Sequence, residues 1–222
     1  MHSNRLAAFA ALAAFLLASP GAYADTAKLS PKPLASELAF VSGIQSDLMA
    51  RFPTAASAEA AGYVRYTDED ETGAISYVNP ANLPNGDATH PSQLWYDVKG
   101  NLLGADFSVP WTADRPKIWG VDPSRWDRFG AHVHYVYTDA TGNKVYGKAV
   151  GAKQFAAAGG DLSKPDAATL QKMGAIKDAS TVNYVFAFPK IWDLIVWVKT
   201  NPNGAFAEKN PLVIPVHPVS SD

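Results

Sequence analysis

Between Leu34 and Phe52 the apolar residues Leu34, Leu38, Val41, Ile44, Leu48 and Phe52 recur at steps of three and four, the period that gathers side chains on one helix face. Pro53 has no amide hydrogen for a further turn and stops that helix. Thr54 to Gly62 reads as a short second helix, with Thr54 or Ser57 to cap it and Gly62 to end it. Beyond Gly62 the pattern changes to runs of β-prone residues separated by turn signals. Tyr63–Thr67 and Ala74–Val78 flank the acidic turn Asp68–Gly73, and Gln93–Asp97 and Leu102–Val109 flank Val98–Asn101. His132–Tyr137 and Lys144–Val150 flank a third polar turn, so three hairpins are predicted.

Asn79–Asp87, with two prolines and a glycine, can only be a loop. Trp111–Phe129 is dense in Trp, Pro, Asp and Arg without a clear period and predicts an ordered loop with one helical turn at Pro123–Arg128. Ser163-Lys164-Pro165-Asp166 opens a late helix running to Met173, and Val182–Phe188 and Leu194–Lys199 close the chain as strands. The expected fold is α+β: an antiparallel sheet of at least six strands built from hairpins, with N-terminal helices and one late helix packed on it. Residues 34–222 are expected to form a single domain, because two would each have a small core.

Met1–Arg5 carries one positive charge, Leu6–Ala18 is uncharged and apolar, and Ser19-Pro20-Gly21 breaks the run before the small-residue pattern Ala22-Tyr23-Ala24. This is the layout of a secretory signal peptide cut after Ala24, and the apolar run falls short of the roughly 18 to 20 residues that span a bilayer. The protein is therefore expected to be exported, periplasmic or secreted, with a flexible lead-in at Asp25–Pro33 and no transmembrane span in the mature chain. It has no cysteine, which excludes a thiol nucleophile, a disulfide framework and a thiolate metal site. The formal net charge of −2, one unit more negative without Arg5, and the lack of a basic cluster argue against nucleic acid as a partner.

The densest candidate chemistry lies in Phe129–Val150. Side chains alternate along a strand, so His132, His134 and Val136 share one face, and Val133, Tyr135 and Tyr137 share the other. A four-residue loop, Asp139–Gly142, would pair Thr138 with Asn143, set His134 opposite Gly147 and His132 opposite Ala149, and leave Lys144, Tyr146 and Lys148 on a solvent face with Tyr137, Tyr135 and Val133. A loop one residue longer or shorter would move the lysines to the histidine face, where Lys148 opposes a bound cation. The four-residue loop is the expectation, because it separates lysines from valines.

Two imidazoles at i and i+2 can reach one divalent transition metal such as zinc, with a third ligand from His90, His217, Asp106 or Glu208. The alternative is that each histidine hydrogen-bonds a carboxylate or carbonyl inside the sheet. Trp95 and Trp197, from an aromatic set that also holds Tyr96, Trp111, Trp119, Trp126 and Trp192, are expected ligand contacts beside the histidines, although core packing explains the same set. Asp68-Glu69-Asp70-Glu71 lacks the spacing of a twelve-residue calcium loop and reads as a solvated hairpin tip. Nucleophile-elbow, H-E-x-x-H and phosphate-loop motifs are absent.

Four stretches resemble a family of uncharacterised exported bacterial proteins: Ala58–Tyr63, Tyr77-Val78-Asn79-Pro80, Leu94-Trp95-Tyr96-Asp97 leading to Leu103–Pro110, and Val196–Ala207 with Asn210-Pro211. The resemblance runs from Ala58 to Pro211 with a gap in the middle. Many members of that family carry a histidine directly before the second stretch and another before the fourth, where this chain has Ser76 and Ile195. The resemblance implies export and a single domain, and no activity. Three functions stay open: a binder of a small ligand or metal ion through His132 and His134; a metal-dependent or acid/base enzyme in which Asp106 or Asp193 orients a histidine; and an interaction protein using Trp111–Phe129 and the tail Pro211–Asp222.

Overall fold

The computed structural model describes residues 29–218. The expected export signal, Met1–Ala24, lies outside the described residues, as do 25–28 and 219–222. In chain order the elements are α1 (Leu38–Arg51), α2 (Ala55–Ala60), β1 (Val64–Arg65), β2 (Ile75–Val78), β3 (Gln93–Tyr96), β4 (Leu102–Pro110), β5 (Asp127–Phe129), β6 (His132–Thr138), β7 (Lys144–Tyr146), β8 (Val150–Gly151), α3 (Ala152–Ala157), α4 (Ala167–Lys172), β9 (Val182–Phe188) and β10 (Ile191–Trp197).

The strands form two antiparallel sheets. The larger has the order β1-β2-β3-β4-β10-β5; in the smaller, β6 pairs with β7 and β8 along one edge and β9 along the other. The α+β expectation and the antiparallel sheet of six strands hold, and the four-stranded sheet is an addition to it. The two sheets meet through Tyr66, Val78, Phe186, Phe188 and Ile191, so each has an inner face turned toward the other. Helix α1 covers the outer face of the large sheet with Val41, Ile44 and Leu48 against Leu94, Phe107 and Leu194. Helices α3 and α4 cover the outer face of the small sheet, where Phe155 and Leu170 pack on Val133 and Tyr135. Among the described residues no helix is long and apolar enough to cross a membrane.

Local chemistry explains where the elements begin. Thr54 caps α2 reciprocally with Ser57: the Ser57 amide donates to Thr54 Oγ1 at 3.2 Å and the Thr54 amide to Ser57 Oγ at 3.1 Å. The late helix starts after Asp166, which accepts the Thr169 amide at 2.8 Å, so Pro165 precedes the cap and is outside the first turn. Ser30, Pro31 and Lys32 of the expected flexible lead-in are held. Arg125 donates to the carbonyls of Ser30 and Lys32, and the Phe206 amide donates to Pro31 O at 3.1 Å.

The β6 hairpin corrects the expected register by one residue. Asp139 pairs with Asn143 through an amide-to-carbonyl bond of 2.9 Å, the loop is Ala140–Gly142, and Thr138 lies opposite Lys144. The cause is the Asp139 carboxylate, which accepts the amides of Thr141 at 2.8 Å and Asn143 at 3.0 Å, with Gly142 at φ +86° completing a three-residue turn. The returning strand breaks after Tyr146 and resumes at Val150, and the Val133/Tyr135 face expected at solvent is buried under α3 and α4.

Candidate functional site

Alternation along β3, β4 and β10 puts Gln93, Asp106, Ser108 and Asp193 on the inner face of the large sheet, where Asp106 lies opposite both Gln93 and Ile195 and Asp193 lies opposite Ser108. The same alternation along β6 turns His132 and His134 to the inner face of the small sheet, beside Phe188 and Phe186 of β9. Between these faces is an open cavity of about 500 Å³. Its floor and far wall carry Asp106, Asp193, Gln93 and Tyr66, its near wall His132, His134 and Phe188, and its rim Asp68, Glu69, Asp70, Phe129, Tyr146 and Lys148.

Asp106 and Asp193 are 7% and 4% exposed and sit on one face of the paired strands β4 and β10, close enough to hydrogen-bond each other. Two carboxyls can do this only by sharing a proton. Trp95 Nε1 donates to Asp106 Oδ2 at 2.8 Å, and Ser108 Oγ donates to Asp193 Oδ1 at 2.8 Å. Both of these donors are neutral, so burial dominates. It pushes Asp193 up to about 7, with the charge of Asp127 adding to it, and it holds Asp106 well above the usual carboxylate range, with the charge of Asp193 adding to that. Near neutral pH the pair therefore keeps at least one proton. The Tyr66 hydroxyl, raised by burial and by the Asp106 charge, donates to Gln93 Oε1.

The histidine wall is neutral. His132 Nδ1 lies 2.7 Å from Gly130 O, an atom that only accepts, so Nδ1 carries the hydrogen and Nε2 is left as an acceptor. Its ring stacks on Phe188 at 4.9 Å, and His134 stacks on Phe186 at 5.6 Å and meets the edge of Tyr66 at 4.7 Å. His134 Nδ1 is buried without a hydrogen-bond partner. Burial, helped by the neighbouring His132, pushes His134 down to about 3. Burial also lowers His132, against the opposing effect of the Gly130 carbonyl.

The expected residues are divided by this arrangement. His132, His134 and Asp106 come together in one cavity, as do Ser76 and Ile195, the two positions singled out by the resemblance. Trp95 and Trp197 pack on each other at 5.5 Å and are not among the cavity walls; Trp95 acts on it through Asp106, and Trp197 Nε1 donates to Ala207 O. His90 is exposed and paired with Asp87 at 2.8 Å, and His217 and Glu208 are exposed. Among the described residues no three His, Asp or Glu side chains converge closely enough to hold a metal ion. Lys148 sits on the rim beside the histidines, the placement that opposes a bound cation there. Neither imidazole is held at Nδ1 by a carboxylate, so the Asp-oriented histidine base is not assembled.

Glu69 is not a solvated turn residue. It is 4% exposed and accepts the amides of Val216 at 2.8 Å and His217 at 2.5 Å, which ties the tail to the rim. Most of the aromatic loop also turns inward: Trp119 packs on Phe40 and Phe107, and Trp111 stacks on Trp192 at 5.0 Å. Tyr66, Ser108 and Asp193 as a floor residue were legible only in part, through a signal present in the strands themselves. Asp106 and Asp193 each interrupt an otherwise apolar alternation at an inward position, where an unpaired polar residue is out of place. Compared with known proteins, the chain matches no family model, no curated protein and no solved structure.

Proposed function

We propose that this protein binds a small organic molecule in the cavity between its two sheets, and that with the export signal expected at Met1–Ala24 it does so as a periplasmic or secreted protein. The observation that carries the reading is the cavity itself. At about 500 Å³ it lies within the roughly 300 to 1,000 Å³ usual for small-ligand sites, and it joins apolar and aromatic walls to a few inward polar groups. Burying two carboxyls and two imidazoles opposes folding unless something repays it, and a ligand supplies the missing partners. An acid/base enzyme has one feature in its favour, the proton shared by Asp106 and Asp193. It has no oriented base beside that pair.

The test is thermal melting of the purified protein against a library of small organic molecules, with an Ala149→Phe variant that fills the cavity from its rim. A ligand present at one hundred times its Kd stabilises by about 2.7 kcal/mol, and this gain should disappear in the variant. Metal content by mass spectrometry is the control. A near-stoichiometric metal, lost in a folded His132→Ala, His134→Ala double variant, would replace the organic ligand with the metal reading.

A further inference from the structure

The walls of the cavity are unequal in charge. Five carboxyl residues line it, Asp68, Glu69, Asp70, Asp106 and Asp193, against one basic residue, Lys148. Two of the five are already engaged away from a ligand: Glu69 by the tail amides, and Asp68 by Arg65 Nη2 at 3.1 Å. Asp70 is held by the Thr72 amide at 2.7 Å. What remains for a ligand at the floor is the Asp106 and Asp193 pair; the charge of Asp127, opposite Asp193 in the neighbouring strand, acts on that pair. The groups that face the pair are Tyr66, whose proton is committed to Gln93, the donors Trp95 and Ser108, and the neutral imidazoles across the cavity. None of these is a cation. Above the floor are ring and aliphatic surfaces, Phe188, Ile191, Phe129 and the exposed side of His132.

We infer that the ligand is a small organic cation, a primary or secondary ammonium on an apolar or aromatic body, with the ammonium donating to Asp106 and Asp193 and the body packed against Phe188, Ile191 and His132. This rests on the reading that the cavity binds a small molecule, and it deepens that reading to a ligand class. An ammonium brings two or three donors to carboxylate oxygens that now receive one neutral donor each from Trp95 and Ser108. It also takes the place of the shared proton, which leaves for solvent. The aromatic walls add the attraction of a ring face for a cation. The His134 Nδ1 across the cavity is buried without a hydrogen-bond partner, so that wall is short of polar partners as well.

The experiment is titration calorimetry of the full purified protein with 2-phenylethylamine, 2-phenylethanol and 3-phenylpropionate, which share a body and differ in charge. The amine should bind at least tenfold more tightly than the alcohol, and the carboxylate should not bind. Because binding expels a proton from the pair, amine affinity should rise with pH by up to tenfold per unit until the pair is ionised, and level off before the amine loses its own proton near pH 10. The alcohol should show no such slope. Asp193→Asn should remove the slope and the preference together, while the alcohol binds as before. The wild-type comparison of amine, alcohol and slope decides the matter even if that variant does not fold. Equal or tighter binding of the alcohol or the carboxylate would overturn the cation and leave small-ligand binding standing. Failure of all three, and of a wider set of alkyl and arylalkyl amines, to bind the folded protein would overturn both.

Discussion

The protein buries carboxylates in two places, and it treats them in opposite ways. Glu37 is 0% exposed, at the turn before α1, and every lone pair direction has a donor: Arg125 Nε at 3.2 Å and Leu34 N at 2.7 Å, Asp122 N at 2.9 Å and Arg125 Nη2 at 3.0 Å. Burial pushes its carboxyl up, but the Arg125 bond and the two backbone amides outweigh it and hold the group below its usual value. Asp106 and Asp193 have each other and two neutral donors, and they stay above theirs. The first arrangement ties three segments of chain together, because Arg125 also reaches the carbonyls of Ser30 and Lys32 and lies over the Phe206 ring at 4.7 Å. The second sits at the floor of an open cavity and ties nothing that a pair of apolar residues could not tie better. A buried charge that is fully matched serves the fold; one left short of donors in a cavity wall is available to something else.

The sharpest way to break this contrast is at the matched site. Arg125→Ala leaves the Glu37 carboxylate buried with two backbone amides and no counter-charge, and should lower unfolding free energy by about 3 to 5 kcal/mol. Urea denaturation at neutral pH measures it, and a loss under about 1 kcal/mol would mean that Glu37 finds water or another partner. A smaller effect is expected from Gly104→Ala. An added Cβ would stand 2.6 Å from the Trp95 ring and 2.7 Å from the Val196 carbonyl, and the backbone cannot yield as a side chain tip can. Overpacking there should cost about 1 to 3 kcal/mol. It should also displace Trp95 from Asp106, which would appear as a further rise of the Asp106 carboxyl in a nuclear magnetic resonance titration.

Much of this architecture was legible in the chain. The spacing of Val41, Ile44 and Leu48 defines α1, the proline after Phe52 ends it, and alternation in β4 and β10 defines strands buried on both faces. The partner choices were less legible. Lys144 pairs with Thr138 because the Asp139 carboxylate takes two amides in the turn, and turn chemistry of that kind shifts a register without changing the strand pattern. The histidine face was read correctly as a face, but its expected neighbours were not: Gly147 lies opposite Tyr135, where an added Cβ would run into the Tyr135 ring, and His132 pairs with Gly151. Its opposite wall was read only in part: Asp106 and Asp193 were each candidates beside the histidines, but they are 87 positions apart in sequence and only the pairing of β4 with β10 joins them. Long-range strand pairing of this sort is set by the whole core, not by any local signal.

Asp193→Asn sharpens the contrast from the unmatched side. The folded value of Asp193, about 7, lies above its unfolded value near 3.8, so the group favours the fold below pH 3.8 and that contribution is lost as pH rises through about 7. Asparagine keeps the acceptor for Ser108 and offers Asp106 a fixed donor in place of the shared proton. The variant should match the wild type near pH 4 and exceed it by about 1 to 2 kcal/mol at pH 8, where the wild type carries the buried charge. Melting curves across that range decide the point, and a variant less stable than wild type at pH 8 would show that the charge is already matched.

The smallest change at neutral pH is expected from His134→Phe, on the opposite wall. Phenylalanine fits among Phe186, Phe188 and Tyr66 and removes the buried Nδ1 that has no partner, so stability at pH 7 should stay level or rise by up to about 1 kcal/mol. The pH dependence should change sign relative to Asp193→Asn. His134, held at about 3 against an unfolded value near 6.5, favours the fold above pH 6.5, and this is lost as pH falls through about 3. In the wild type the two walls therefore oppose each other between pH 4 and 7, the acid pair gaining as pH falls while the imidazole loses. Removing the imidazole should leave a protein that gains stability on mild acidification, and removing the acid should leave one that loses it. If both variants shift the profile in the same direction, the two walls do not titrate independently, and the cavity has to be described as one coupled network across the sheets.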